Sequence, residues 1–145
     1  MQDAEYPKVY LYRRIVQGKL FIDAHFSDPI NLDNISDEAF LSKFHFIRLF
    51  KKAYGKTPHQ YLTYVRIERA KHLLRGDRLV SDVCADVGFD SVGSFTTLFK
   101  KSTGMTPSAY QQRQLTLREE ITSTPLKFVP NCFAEKHGWL VEAFQ

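Results

Sequence analysis

The apolar positions of this chain follow a helical beat. Phe46, Leu49, Phe50 and Ala53 recur at i, i+3, i+4 and i+7, which lines one face of a helix. Forty-nine positions later Phe95, Leu98, Phe99 and Ser102 repeat the same spacing. The polar residues at the ends agree with this reading. Ser42 and Ser91 stand where an N-cap is needed. Gly55 and Gly104 can take the left-handed conformation that closes a helix. Thr57-Pro58 and Thr106-Pro107 then open a new helix, with threonine as N-cap and proline at the first position, where its missing N–H costs nothing.

A shorter helical stretch precedes each serine. LDNISDEAFL places Leu32, Ile35 and Ala39 at helical spacing, and VSDVCADVGFD does the same with Val80, Val83, Cys84 and Val87. Short helix, tight turn and second helix make the helix-turn-helix pattern. Gly88 falls in the second turn; Phe40 falls in the first, where glycine is the usual choice. Between the two units runs PHQYLTYVRIERAKHLLR, residues 58–75, with Ile67, Ala70 and Leu74 on one face. At ~1.5 Å per residue this predicts a rod of about 27 Å. Such a rod suits two recognition helices held about one DNA turn, ~34 Å, apart.

The repeat extends to identity. RLFKKAYGKTPHQYL (48–62) and TLFKKSTGMTPSAYQ (97–111) share Leu49/Leu98, Phe50/Phe99, Lys51/Lys100, Lys52/Lys101, Gly55/Gly104, Thr57/Thr106, Pro58/Pro107 and Tyr61/Tyr110. A repeat of this kind marks a duplicated structural unit.

Composition narrows the class. With 43% hydrophobic and 14% aromatic residues the chain can build cores and does not read as disordered. No apolar run approaches the ~18 residues that span a membrane. MQDAEYPKVY lacks the order of a signal peptide. Cys84 and Cys132 read as reduced thiols of a cytoplasmic protein. Net charge is +4, divided as +5 over residues 1–116 and −1 over 117–145. Lys43, Arg48, Lys51, Lys52 and Lys56 fall within residues 42–56 with no acid among them, a concentration suited to a polyanion.

The outward face of each second helix carries the candidate chemistry. With Phe46 and Phe50 inward, Phe44, Arg48 and Lys51 point the other way, with Ile47 beside them. Arg48 has the fork for guanine, and Phe44 suits a thymine methyl. In the second copy the same places hold Gly93, Thr96, Thr97 and Lys100, with Val92 ahead of them. Base-contact candidates are therefore Phe44, Ile47, Arg48, Val92, Gly93, Thr96 and Thr97. Phosphate-contact candidates are Lys43, Lys51, Lys52, Lys100 and Lys101.

On SKFHFIRLFKKAYGKTPHQYL, RIERAKHLL and VGFDSVGSFTTLFKKSTGMTPSAY the sequence resembles the AraC/XylS family of bacterial transcription regulators over roughly residues 8–116. The resemblance implies an all-α fold of seven helices, near 8–25, 32–38, 42–54, 58–75, 80–87, 91–103 and 107–116. Two helix-turn-helix subdomains (8–57 and 76–116) flank the linker helix 58–75, and a C-terminal extension (117–145) follows. The third and sixth helices would be the recognition helices. Thr97 stands where many members carry a long polar or basic residue, and Gly93 offers no side chain. The second helix is therefore expected to hold phosphates more than read bases. The chain starts about seven residues before the first helix, so no N-terminal effector domain is expected; it is either a stand-alone member or an excised domain.

The extension LREEITSTPLKFVPNCFAEKHGWLVEAFQ carries Phe128, Phe133, Trp139, Leu140, Val141 and Phe144, too apolar for a plain solvated tail. Cys132 and His137 fall short of the four ligands of a structural zinc site, so no metal is expected. The expected function is sequence-specific binding of double-stranded DNA by a monomer, as a transcription regulator. RNA polymerase stands as a further partner, without cofactor or membrane partner. Two rivals stand beside it. One is a helical protein-interaction module that has lost DNA binding, suggested by Phe40, Gly93 and Thr97. The other is a repair enzyme, which needs an activated cysteine. Cys84 sits on an apolar face and Cys132 lacks a basic cluster, so no enzyme is expected.

Overall fold

A computed structural model describes residues 6–124 and 129–137. In chain order these form α1 (Tyr6–His25), α2 (Leu32–Glu38), α3 (Lys43–Tyr54), α4 (Pro58–Leu73), α5 (Val80–Asp86), α6 (Val92–Thr103), α7 (Pro107–Ser123) and α8 (Asn131–Lys136). There is no strand among the described residues. The seven expected helices are all present, most within a residue or two of their expected ends, and α8 adds a short helix in the extension.

The caps account for those ends. Ser42 Oγ accepts the His45 N–H at 3.4 Å and Ser91 Oγ accepts the Ser94 N–H at 3.2 Å. Gly55 and Gly104 close α3 and α6 at φ 72° and 83°. Thr57 forms a full capping box: its Oγ1 accepts from Gln60 N–H, and Gln60 Oε1 accepts from Thr57 N–H. Thr106 caps α7 in one direction only, through Ala109 N–H. The tight turns are also alike. Phe40 N–H and Leu41 N–H donate to Asp37 O and Ser36 O, as Gly88 N–H and Phe89 N–H donate to Ala85 O and Cys84 O. Phe40 keeps this geometry at φ 54°, a conformation side chains disfavour. The Arg14 guanidinium helps hold it, donating to Phe40 O at 2.9 Å.

Two cores result. Ile15, Ile22, Ile35, Ala39, Phe46, Phe50 and Leu62 form the first. Ile67, Ala70, Leu74, Val83, Cys84, Val87, Phe95 and Phe99 form the second. Helix α4 serves both, giving Leu62 near its start to one and Ile67 and Ala70 near its end to the other. Among the described residues four phenylalanines are fully buried, and truncating one of them to alanine costs about 3–5 kcal/mol.

Two sequence expectations need correction. Ala53 and Ser102 were placed on the core faces but are exposed. They lie in the last turn of α3 and α6, beyond the reach of the helices packed on Phe46 and Phe95. Helix α7 runs to Ser123 instead of stopping near 116. Leu117, Arg118, Glu119 and Glu120 are good helix formers, and the first local stop is Thr124 before Pro125. Tertiary bonds hold α7 in place. Gln111 Nε2 donates to Gly76 O and Arg78 O, and Arg118 Nη2 donates to Arg75 O at 2.7 Å. Of the apolar tail residues, Phe133 lies on α8, half in solvent; Phe128, Trp139, Leu140, Val141 and Phe144 lie outside the described residues.

Candidate nucleic-acid interface

Each helix-turn-helix unit presents the outer face of its second helix to solvent. On α3, Phe44 is 81% exposed, Arg48, Lys51 and Lys52 are exposed, and Ile47 is half-buried beside them. The Phe44 ring is thus open to solvent on the same face as these cations. Arg48, Lys51 and Lys52 have no ion-pair partner among the described residues, so their donors are available. Lys43 differs. Its ammonium sits 2.8 Å from the Asp33 carboxylate on α2, so it would have to exchange that ion for a phosphate.

On α6 the same positions are smaller. Val92 and Gly93 are exposed, and nothing lies within 4 Å of where a Gly93 side chain would begin. Thr97 is exposed, but its hydroxyl donates to Gly93 O at 3.0 Å, which leaves mainly its lone pairs and methyl for a partner. Thr96 is half-buried. Lys100 and Lys101 are exposed and without an ion-pair partner among the described residues. The pair Lys51/Lys52 thus recurs as Lys100/Lys101, while Phe44/Arg48 becomes Gly93/Thr97.

The structure adds Phe40 to the surface features. It is 75% exposed in the turn that leads into α3. Its signal in the sequence was a phenylalanine standing where the second copy has Gly88. Elsewhere, burial, with a smaller contribution from Asp90, pushes the Cys84 thiol up, the opposite of what a nucleophile needs. Among the described residues no three His, Cys, Asp or Glu gather as metal ligands. No helix among them is long and apolar enough to cross a membrane.

Two tandem helix-turn-helix units on one shared helix define a class of nucleic-acid-binding domain. A family model described as a helix-turn-helix domain matches residues 35–113, more than half of the chain. The chain belongs to this helix-turn-helix family, as a domain of the AraC type. It is 33% identical over 70 residues to the lactose operon transcription activator of Staphylococcus xylosus. It is 36% identical over 70 residues to the HTH-type transcriptional activator RhaS of Escherichia coli O157:H7. Each alignment takes in 48% of this chain and 25% of the relative, so the chain spans about a quarter of the length of these curated relatives. Among solved structures it is similar to the C-terminal domain of AraT, a response regulator from Geobacillus stearothermophilus. The TM-score is 0.66 at 26% identity, covering 69% of this chain and 84% of that one.

Proposed function

We propose that this chain is a sequence-specific double-stranded DNA-binding transcription regulator that acts without catalysis in the cytoplasm. It lays α3 and α6 in successive segments of the major groove and binds as a monomer. The observation that carries this reading is the recurrence of one exposed basic helix face on two units of a single chain. Lys51, Lys52, Lys100 and Lys101 supply phosphate contacts, which fix position without reading sequence. Phe44, Ile47 and Arg48 read bases from α3. Val92, Gly93, Thr96 and Thr97 do so from α6, with far less to offer, so the preferred site is asymmetric. Lys43 joins the phosphate contacts once Asp33 releases it. Residues 8–57, 58–75 and 76–116 act as two reading units and their linker, and 117–145 as an appendage. RNA polymerase is the further partner suited to an activator that resembles the relatives above.

The test is a selection on randomised duplex DNA, followed by gel shifts on the selected site. A monomer on about two turns of one face is expected. With on the order of 6–8 phosphate contacts, log K falls against log salt with a slope of about −5 to −7. The alternative is a protein-interaction module, favoured by Gly93 and by the Thr97 hydroxyl turned onto its own helix. It predicts no selected sequence and a slope near zero.

A further inference from the structure

The two units touch through more than their shared helix. The Arg66 side chain, half-buried on α4, donates from Nε to Phe26 O at 2.6 Å and from Nη2 to Asp28 O at 3.0 Å. Both carbonyls belong to the connection between α1 and α2, in the first unit. The same guanidinium lies 5.7 Å from the centre of the Phe89 ring, in the second unit. Phe89 packs on Phe95 at 5.2 Å and is part of the second core's rim. Its neighbour Gly88 takes φ +91°, and a side-chain carbon there would lie 2.8 Å from Phe26 O and 2.9 Å from Ser27 O. The backbone of one helix-turn-helix turn therefore rests directly on the α1–α2 connection of the other unit, with a cation pinned between them.

We infer that Arg66 and Gly88 form a junction that fixes the distance and angle between α3 and α6. Arg66 is then a positioning residue for half-site spacing. The inference rests on the reading that both helices engage DNA. An arginine fits where a lysine does not. Two carbonyls on one connection need two donors in a fixed fork, and the same cation sits over an aromatic ring. Burial draws the Arg66 guanidinium's pKa down, and the Asp90 carboxylate opposes that. A chain pinned only along α4 can twist and bend at that helix, and the two reading faces then drift in phase. One inserted base pair moves the second half-site about 3.4 Å along the axis. It also rotates that half-site by roughly 35°, which a rigid junction cannot follow.

Two measurements on the full chain test this. In the first, spin labels are placed at the exposed, repeat-related positions Ala53→Cys and Ser102→Cys, on a Cys132→Ser background with buried Cys84 retained. Pulsed dipolar spectroscopy then reads the α3–α6 distance without DNA. A single narrow distribution is expected for the parent and a broader one for Arg66→Ala. Arg66→Lys, which keeps the charge and loses the fork, is expected to fall between. Gly88→Ala attacks the junction from the other side and is expected to shift the mean. In the second, the selected site is rebuilt with base pairs added to or removed from its centre. The parent is expected to lose about tenfold or more with one inserted base pair, the loss of one good base contact. Arg66→Ala is expected to bind the best site less tightly yet to show a flattened spacing profile. A residue that merely stabilises the fold would lower all affinities and leave the profile unchanged. Either an unchanged label distribution or an unchanged spacing profile in folded Arg66→Ala overturns the inference. A parent chain that selects no DNA sinks the DNA reading instead, while the label distances still judge the junction.

Discussion

Gly18→Ala isolates how closely α1 is set against α3. On α1 the buried positions Ile15, Gly18 and Ile22 have the same spacing as Ile67 and Ala70 on α4 and Leu74 at its C-cap. The second core accepts an alanine in the middle place; the first has glycine. A carbon added to Gly18 would lie 2.6 Å from both Cε2 and Cζ of Phe46. Ordinary carbon contacts fall at about 3.5–4.0 Å, so the ring must retreat by about 1 Å. It has little room. Phe46 is fully buried and its ring centre is 5.4 Å from that of Phe50, which in turn meets Tyr54 at 4.8 Å and Tyr61 at 5.6 Å. Overpacking of this kind costs about 1–3 kcal/mol. Replacing glycine by alanine inside a helix returns about 1 kcal/mol. With so little room for the ring the overpacking cost falls in the upper part of its range, about 2–3 kcal/mol, so the expected net loss is about 1–2 kcal/mol, read as a lower urea midpoint at unchanged m-value. Ala70→Gly, the reverse exchange in the second core, is expected to lose about 1 kcal/mol from propensity alone. An unchanged or higher midpoint for Gly18→Ala would refute the reasoning, because it would mean that Phe46 yields freely.

Arg48→Ala is expected to cost about 1–3 kcal/mol of DNA affinity and to relax base preference in one half-site. Thr97→Ala should cost less, and Lys51→Ala should weaken all sequences alike; an unchanged target-to-scrambled ratio in folded Arg48→Ala would remove α3 from the reading face. Thr57→Ala removes the Oγ1 that accepts from Gln60 N–H but keeps the backbone N–H that donates to Gln60 Oε1, and Thr106→Ala likewise loses one cap bond, so each should lower stability by about 1 kcal/mol; an unchanged thermal melt for either variant would contradict this. Because burial raises the Cys84 thiol, alkylation of the folded chain near pH 8 should stop after exposed Cys132, where an unfolded thiol (~8.5) already reacts. The unfolded chain gives up this proton first. The stability Cys84 contributes is therefore present below ~8.5 and lost as pH rises through its folded pKa; equal labelling rates at the two cysteines would exclude a buried thiol.

The helix-turn-helix units were legible because their signals are local. Ser42, Gly55, Thr57-Pro58 and their counterparts fix helix ends by bonds within four residues, and the Phe46/Phe50 spacing fixes which face is inside. What escaped the sequence depends on distant parts of the chain. Nothing in the stretch 58–75 singled out Arg66; its partners at Phe26 and Asp28 lie about forty positions away and are backbone carbonyls, which no residue type advertises. Nothing in the sequence singled out Gly18, because its reason is a ring on α3. The length of α7 was misjudged because family resemblance ended at 116 while helix-forming residues did not. Phe40 was noticed as a departure, but its tolerance of φ 54° depends on Arg14 reaching its carbonyl from α1.

Under the DNA reading, the pattern of divergence between the copies has a physical logic. Lys51/Lys52 and Lys100/Lys101 are kept in the last turns of α3 and α6, and so are the Phe46/Phe50 and Phe95/Phe99 cores that aim those turns. Phosphate contacts and helix direction set where the protein sits, and both units must agree on it, since α4 and the Arg66 junction bind them into one body. Base-edge contacts carry no such constraint. Once position is fixed by the shared parts, one unit can keep a forked cation and an aromatic ring while the other falls back to Gly93 and Thr97. In a symmetric dimer every change in a reading helix appears in both half-sites. In a single chain with two reading helices each face changes alone, and an asymmetric operator is the consequence.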